Sequence, residues 1–458
     1  MLPSSGRLPS PSAAPAADTA FRVFAFAWAL SVELGMVSRG MVTTPMRIVV
    51  SIAALVVMIF PGQPLVLACL AVAWCVHISV DNYSQVYVHH WLVTLGSWSI
   101  LLAVAAGARR NVAAWREAVV NALHFAAPAI ATIGLVAAGA SKLNTGFLDP
   151  AVSCANTMYQ WQRSVFPWSL MPSAPWTIVA AIVFTFGAEL GGPLLVSNPR
   201  TRRVGFLMIA AFFFAIGTNA QARLYEFSGP FLALYCLLID WTHLRARIPA
   251  ALARIPRWAI VACLVVVVAG AMAGDHAGTL RSVKMIGARA VYVLALAVFV
   301  AAVLAPGAFP HRSLLPHITW LVPALALSHE MLAYVGLRTH RNFAMAANFM
   351  VNTEITDHVV VRSVPDLGVN RLAILKTSSD KELNLRGRGG LPLWVLEDRI
   401  ARHRRLAVTY TYEGVDVTVT ADEDHSRFAR NPWAKLLDLM VQPLGPRPPG
   451  CGHKPPSR

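Results

Sequence analysis

Charge is scarce in this sequence, and acidic residues are the scarcest charged type. Only 14% of the 458 residues are charged, with 23 acidic side chains against 39 lysines and arginines. Soluble domains carry roughly a quarter charged residues. The deficit falls in residues 21–336, where one apolar run follows another, while 337–458 has an ordinary soluble composition. A wholly soluble protein is therefore excluded, and the chain divides into a membrane region and a soluble tail.

Cysteines are also few, and their positions carry no pairing or metal-binding pattern. There are six, with no C-x-x-C, and most lie inside apolar runs where a small apolar side chain is expected. We expect neither a disulfide framework nor a zinc site. The six are Cys69, Cys75, Cys154, Cys236, Cys263 and Cys451.

The common catalytic and cofactor motifs are missing as well. The sequence has no G-x-S-x-G, no Walker loop, no H-E-x-x-H and no Rossmann glycine pattern. His89 and His90 are adjacent, so they point to different faces of a helix and do not make a metal pair. No metal site is predicted.

Arginine dominates what charge there is, and the formal net charge is +16. No aromatic-basic platform accompanies it, so nucleic-acid binding is not expected. The arginines cluster instead in the short loops 108–118, 197–203 and 244–257. Such loops are typical of a cytoplasmic membrane face. This predicts a multi-pass protein of the cell inner (plasma) membrane, with a cytoplasmic N-terminus and the tail outside.

The apolar runs predict an all-α polytopic membrane helix bundle of about 10–11 transmembrane helices, followed by a small soluble α+β domain. The count depends on whether Pro61-Gly62 joins two helices in a hairpin or kinks one. The predicted helices are 21–38, 46–60, 63–80, 86–107, 119–140, 176–196, 204–218, 227–243, 258–274, 288–305 and 318–335.

The tail contains strand and helix patterns of a small α+β unit. Residues 358–364 and 372–378 are typical of strands, and 392–405 of an amphipathic helix. The alternating stretches on either side of Glu413-Gly414 predict a hairpin. A closing helix is expected in ARNPWAKLLDLMVQ, before a proline-rich end that is disordered by composition.

Ionisable residues inside apolar runs are costly to bury, so each is a candidate for a functional site. Lys142 ends an apolar helix in AAGASKLNTGFLDP (137–150). Two interpretations stay open: a side chain that snorkels to the headgroups at a helix C-terminus, or a general base held in an apolar pocket. Gly139 would let another helix approach. The other candidates are Glu33, His77, Asp81, Glu189, Arg223 and Glu226.

Glu189 lies too deep in its run to reach water easily, so a partner such as Arg223 or a polar ligand is expected. Arg223 and Glu226 are also spaced to pair with each other. If the second interpretation of Lys142 holds, Lys142 is the candidate base of an outward-facing pocket. The substrate-binding residues predicted for that pocket are Asn82, Tyr83, Asn144, Glu189, Arg223 and Glu226.

Four segments in order resemble a known membrane family. They are DNYSQVYVHHW (81–91), AAGASKLNTGFLDP, AELGGPLLVSNPRTRRVGFL (188–207) and NAQARLYEFSGPFLAL (219–234). The series is similar to the HTTM region that bacterial membrane proteins share with vitamin K-dependent gamma-carboxylase. The resemblance implies an HTTM-like region at 21–245. Composition and pattern predict the other boundaries: 1–20 disordered leader, 246–336 further transmembrane helices, 337–442 α+β domain and 443–458 disordered tail.

In the carboxylase, a lysine at the position of Lys142 deprotonates the vitamin K hydroquinone, which implies a quinone or quinol cofactor. Ser141, Asn144 and Tyr83 stand where the family has lysine, aspartate and histidine. The large lumenal domain that grips the propeptide is absent. Carboxylase or epoxidase activity is thus implied by resemblance only, without the residues that would position the base.

Two functions from different classes follow. The first is a pocket around Lys142 that binds an isoprenoid quinone or a lipid-like substrate. The second is a non-enzymatic anchor or assembly protein whose extracytoplasmic tail binds a partner protein. A transporter ranks below both because no inverted repeat or pair of broken helices is visible.

Overall fold

The computed structural model describes residues 13–38, 44–80, 88–108, 110–164, 170–219, 224–242, 278–309, 317–335, 356, 358–368, 370–380, 383, 389–403, 405–428 and 442–443. Several predictions lie outside these ranges. They are the helix 258–274, nearly all of the closing helix and disordered end, and the site residues Asn82, Tyr83 and Arg223.

The described part of the chain is mostly helical, as predicted. The helices are α1 Ala13–Ser38, α2 Pro45–Ile59, α3 Pro64–Val80, α4 Val88–Gly107, α5 Val112–Ser141, α6 Thr145–Leu148, α7 Cys154–Arg163, α8 Pro175–Phe186, α9 Gly192–Ser197, α10 Arg202–Gly217, α11 Tyr225–Tyr235, α12 Gly278–Leu304, α13 Leu321–Tyr334 and α14 Leu393–Arg402. A π-helical turn, Gly187–Gly191, separates α8 from α9.

Helix boundaries differ from the prediction at the N-terminus. Helix α1 begins at Ala13, so part of the segment predicted as a disordered leader is helical. Alanines and a proline in the first turn favour helix there. At Pro61-Gly62 the chain makes a turn between two separate helices, α2 and α3, which pack against each other. The hairpin alternative is therefore the observed one.

Five of the described helices are long and apolar enough to cross a membrane by length and composition. They cover Ala16–Met36, His90–Gly107, Val112–Ser141, Pro175–Ser197 and Ile286–Leu304, while α2 and α3 are shorter apolar helices. This is compatible with a multi-pass membrane protein.

The chain divides into two compact units. The first comprises Met1–Asn82, His89–Gly134 and Gly191–Ala326, and the second comprises Tyr83–Val88, Leu135–Leu190 and Leu327–Arg458. The second unit thus holds the tail together with the segment around Lys142, whereas the sequence placed a boundary at 337.

The core of the first unit is rich in aromatic side chains. In it α1 packs on α2 and α11, and α10 packs on α9, α11 and α12. The ring of Phe206 meets Tyr235 and Phe299 edge-on, at centroid distances of 5.3 and 5.6 Å. These buried rings stabilise the packing of the helices through the apolar surface area that they bury and through their edge-to-face contacts.

The tail in the second unit forms an antiparallel sheet. Its strands are β1 Leu372–Ser378, β2 Gly389–Pro392, β3 Val408–Tyr412, β4 Val415–Val419 and the two-residue β5 Gln442–Pro443, in the order β4-β3-β1-β2-β5. Helix α14 packs on β1 and β2. The hydrophobic core includes Leu391, Leu396 and Ile400.

Most tail predictions in the described residues are confirmed. Strand β1, helix α14 and the β3–β4 hairpin form where expected. Glu413 and Gly414 both take positive φ, at 49° and 82°, as a two-residue hairpin turn requires. The predicted strand 358–364 is wrong. His358 instead makes a single bridge with Asn144.

The hairpin carries a pH-dependent ion pair. Asp416 accepts hydrogen bonds from Lys376 Nζ at 2.5 Å and from Thr411 Oγ1 at 2.6 Å, and these lower the pKa of its carboxyl from its ordinary value. A carboxyl group whose pKa is lower in the folded state than in the unfolded state stabilises the fold at pH values above its unfolded-state pKa. That stabilisation is lost as the pH falls through the folded-state pKa.

We therefore expect β4 amide protection to fall as pH drops from about 5 to about 3. Asp416→Asn should remove this part of the pH dependence. The measurement is hydrogen exchange of Val417 and Val419, corrected for the intrinsic rate at each pH. Asp422→Asn is the control, because none of the ion pairs among the described residues involves Asp422. An unchanged pH profile in Asp416→Asn would contradict the assignment.

Candidate functional site

Lys142 lies in the turn that follows α5 and points into the protein. The residue is only 4% exposed. The ammonium Nζ donates to Ala138 O at 3.1 Å, so it caps its own helix C-terminus. It does not extend outward to snorkel. Of the snorkelling interpretation, only the interaction with the helix C-terminus is therefore observed, because the side chain is buried.

Glu189 is the partner of Lys142. Nζ lies 3.0 Å from Glu189 Oε1 and 2.8 Å from Oε2, and Glu189 is 2% exposed. Partnering of Glu189 was expected, but the suggested partner Arg223 lies outside the described residues. The two ionisable residues that the sequence singled out separately in this unit thus form one buried ion pair.

A break in the helix places Glu189 there. Pro193 lacks an N–H and would clash with the carbonyl of the residue four positions earlier, which is Glu189. The chain adopts the π-helical turn Gly187–Gly191 at this point. Such turns are frequent at functional sites. The proline spacing was visible in the sequence and is the signal that would have predicted the irregular turn.

Gly139 allows the two segments to approach, as predicted. A Cβ added to it would lie 2.7 Å from Leu190 Cγ and 3.1 Å from Glu189 Cβ. Only a residue without a side chain therefore fits beside the π-helical turn.

Asn144 supports the turn that carries Lys142. Its Oδ1 accepts from Phe147 N at 2.7 Å and its Nδ2 donates to Ser141 O at 2.8 Å, and the residue is fully buried. The side chain therefore caps α6 and ties it to the end of α5. Phe147 in turn places its ring centroid 5.8 Å from Lys142 Nζ.

An apolar cluster continues from Phe147. It contains Phe147, Cys154, Ala155, Ile178 and Ile182, with Phe186 packed against it. Cys154 is disulfide-bonded, contrary to the expectation from the sequence. A lone loop cysteine gives no pairing signal, so this bond could not be predicted from spacing.

A tail segment lies directly on the Lys142 turn within the second unit. Val359 N donates to Leu143 O at 2.8 Å. His358 Nε2 lies 2.9 Å from Ala140 O, while His358 Nδ1 accepts from Val360 N and Val361 N at 3.2 and 3.0 Å. These contacts assign the neutral tautomer with the proton on Nε2. Sequence reasoning missed His358, because the contact joins residues far apart in the chain.

Two substitutions test the hydrogen bonds at Nδ1 and at Nε2 of His358 separately. His358→Asn keeps an acceptor near the Nδ1 position, and His358→Gln keeps a donor near Nε2. We expect each to weaken the docked segment by about 1 kcal/mol, read as faster hydrogen exchange of the Val359 amide. His403→Gln, at an exposed tail position, is the control. Wild-type protection in both His358 variants would contradict the proposed tautomer.

The remaining predicted site residue lies in the other unit. Glu226 is buried in the first turn of α11 in the first unit. The structure therefore brings together Lys142, Asn144 and Glu189, and adds Phe147 and His358 to them. Comparisons with known proteins add no assignment, since no family model, curated protein or solved structure matches the chain.

Proposed function

We propose that this chain is a multi-pass membrane protein in which the Lys142–Glu189 pair is the polar centre of a site for an isoprenoid quinone or a lipid-like molecule. The observation that carries the proposal is the buried ion pair itself. It lies at a helix break, beside an apolar and aromatic cluster that suits such a ligand.

A structural role alone is a weak explanation for this pair. Removing two charges from water is expensive, and apolar residues of similar size often replace a buried pair without loss of stability. Charged residues in apolar helices are accordingly rare and mark sites of ligand binding or proton transfer.

The pair can also store a proton. Lys142 acts as a base only as a neutral amine, and Glu189 lies close enough, at 2.8–3.0 Å, to accept its proton. A quinol hydroxyl is the kind of acid that such an amine deprotonates, as the resemblance to the carboxylase family implies. Carboxylase activity is not part of the proposal, because the partner residues of that family are replaced here.

Two observations support membrane insertion and orientation. Large apolar side chains are exposed along candidate spans, among them Val179, Val183 and Leu194 on α8–α9 and Ile286 on α12, which is typical of surfaces that face lipid. The disulfide at Cys154 supports an oxidising, extracytoplasmic side for the loop after Lys142. This agrees with the orientation given by the arginine-rich loops and with the inner (plasma) membrane.

A second candidate is the non-enzymatic anchor. The observation that favours it is the separate hydrophobic core of the tail, built from β1–β4 and α14. A tail with its own core can bind a partner protein outside the membrane. In that case the Lys142–Glu189 pair would be silent for function.

Native mass spectrometry with lipid extraction tests the proposal. The wild type, purified in mild detergent, is compared with the neutral double variant Lys142→Met/Glu189→Gln, which keeps side-chain size and removes both charges. We expect a quinone or isoprenoid to copurify with the wild type and to be lost from the double variant. The control, Lys376→Met, removes an exposed lysine of the tail.

The result that would overturn the proposal is equal ligand content in the wild type and the folded double variant, or none in either. Deleting 356–458 then becomes the informative change, because the anchor function predicts that it abolishes partner binding.

A further inference from the structure

Glu33 is a buried carboxylate that the Lys142–Glu189 site leaves unexplained. It lies in α1, within the apolar span Ala16–Met36, and its side chain has no exposure to solvent. Among the described residues, neither of its carboxylate oxygens has a hydrogen-bond partner. This contrasts with Glu189, whose carboxylate lies against an ammonium group.

A hydroxyl group faces Glu33. Ser51 of α2 lies next to the carboxyl, and its Oγ also lacks a hydrogen bond within the part of the chain that the structure describes. Helix α1 also packs on α11 and α12. On α11, the Cβ of Glu226 lies 3.9 Å from the position of a Cβ on Gly35, and α12 carries Arg289, which has interactions of its own.

Charged residues also occur on these neighbouring helices. Arg47 lies one turn before Ser51 on α2 and has interactions of its own, as does Glu226 of α11. In the described chain, no ion pair involves Glu33.

An isolated ionised carboxylate in an apolar interior costs several kcal/mol or more, and such groups take up a proton instead. We propose that Glu33 is a proton-binding site: a neutral carboxylic acid in the helix bundle whose O–H donates to Ser51 Oγ. The ligand is a proton rather than a hard metal cation, because such cations need about six oxygen ligands, and the described oxygens at this point are one carboxyl and one hydroxyl. This inference is independent of the proposed function, since Glu33 and the Lys142–Glu189 pair belong to different compact units.

The test is infrared difference spectroscopy on the full-length protein in detergent at pH 7, comparing the wild type with Glu33→Gln. Glutamine matches the neutral acid in size and polarity, so the fold should be kept. We expect the wild type to show the carbonyl band of a protonated carboxylic acid, shifted in D2O and absent from Glu33→Gln. A carboxylate difference band in its place would overturn the proposal.

Dicyclohexylcarbodiimide gives a second measurement on the wild type alone. The protonated acid adds across a C=N bond: its proton goes to nitrogen, its oxygen bonds to the central carbon, and acyl transfer to nitrogen leaves a stable N-acylurea. Mass spectrometry should map the adduct to Glu33, with labelling that falls about tenfold per pH unit in the alkaline limit. Ser51→Ala should keep the adduct. Labelling of other acidic residues but not Glu33 would overturn the proposal even if Glu33→Gln fails to fold.

Discussion

Lys142→Ala alone is expected to lower the free energy of unfolding by about 3–5 kcal/mol, because it leaves the Glu189 carboxylate buried without its partner. Glu189→Ala should cost a similar amount. The double variant Lys142→Met/Glu189→Gln should recover most of the loss, since neutral side chains of similar size fill the same space. Chemical denaturation of the full-length chain in detergent measures the wild type and these three variants side by side.

The matched control is the exposed pair Lys376–Asp416 in the tail. The side chain of Lys376 is 48% exposed, and surface pairs contribute roughly 0–1 kcal/mol. Lys376→Ala should therefore be nearly silent in the same assay. If Lys142→Ala is as mild as Lys376→Ala, the side chains of Lys142 and Glu189 do not meet in a buried setting.

Gly205→Ala is the second substitution with a large expected effect, about 3 kcal/mol or more of lost stability. Helices α9 and α10 cross at this residue in the first unit. An added Cβ would lie 2.6 Å from Gly192 O and 2.7 Å from Val196 N. Both atoms are backbone, so relief requires the helices to separate rather than a side chain to rotate.

Gly191→Ala serves as the control for Gly205→Ala. The nearest atom to its added Cβ is Met208 Cε at 3.9 Å, which is an ordinary contact with a flexible side chain. We expect a change within about 1 kcal/mol, with the higher helix propensity of alanine acting in its favour. Thermal unfolding of the two variants side by side measures the difference. Equal losses would contradict the close crossing of α9 and α10.

The parts of the structure that sequence predicted are those governed by local rules. Helical runs, strand β1 and the hairpin at Glu413-Gly414 follow from apolar periodicity and turn chemistry. The stretch around His358 was predicted as a strand from its valines. In the structure it is held by contacts with Ala140 and Leu143, which are distant in sequence.

The candidate site was likewise predicted only in part from the sequence. Lys142 and Glu189 were identified separately, because an ionisable residue within an apolar run can be recognised from the sequence alone. Their pairing was not predicted, since it depends on the π-helical turn and on the close approach at Gly139. Glu33 was conspicuous for the same reason as the other two. Only the structure distinguishes it, because neither of its carboxylate oxygens has a hydrogen-bond partner in the part of the chain that the structure describes.

The central claim is that a quinone-like ligand reaches the Lys142–Glu189 pair. Photo-crosslinking with an azidoquinone in membranes, followed by peptide mapping, tests it most directly. We predict labelling in Leu135–Arg163 or Gly187–Gly191, suppressed by excess unlabelled quinone and absent from the folded Lys142→Met/Glu189→Gln variant. Labelling that falls elsewhere in the chain, or that persists unchanged in the double variant, would contradict the claim.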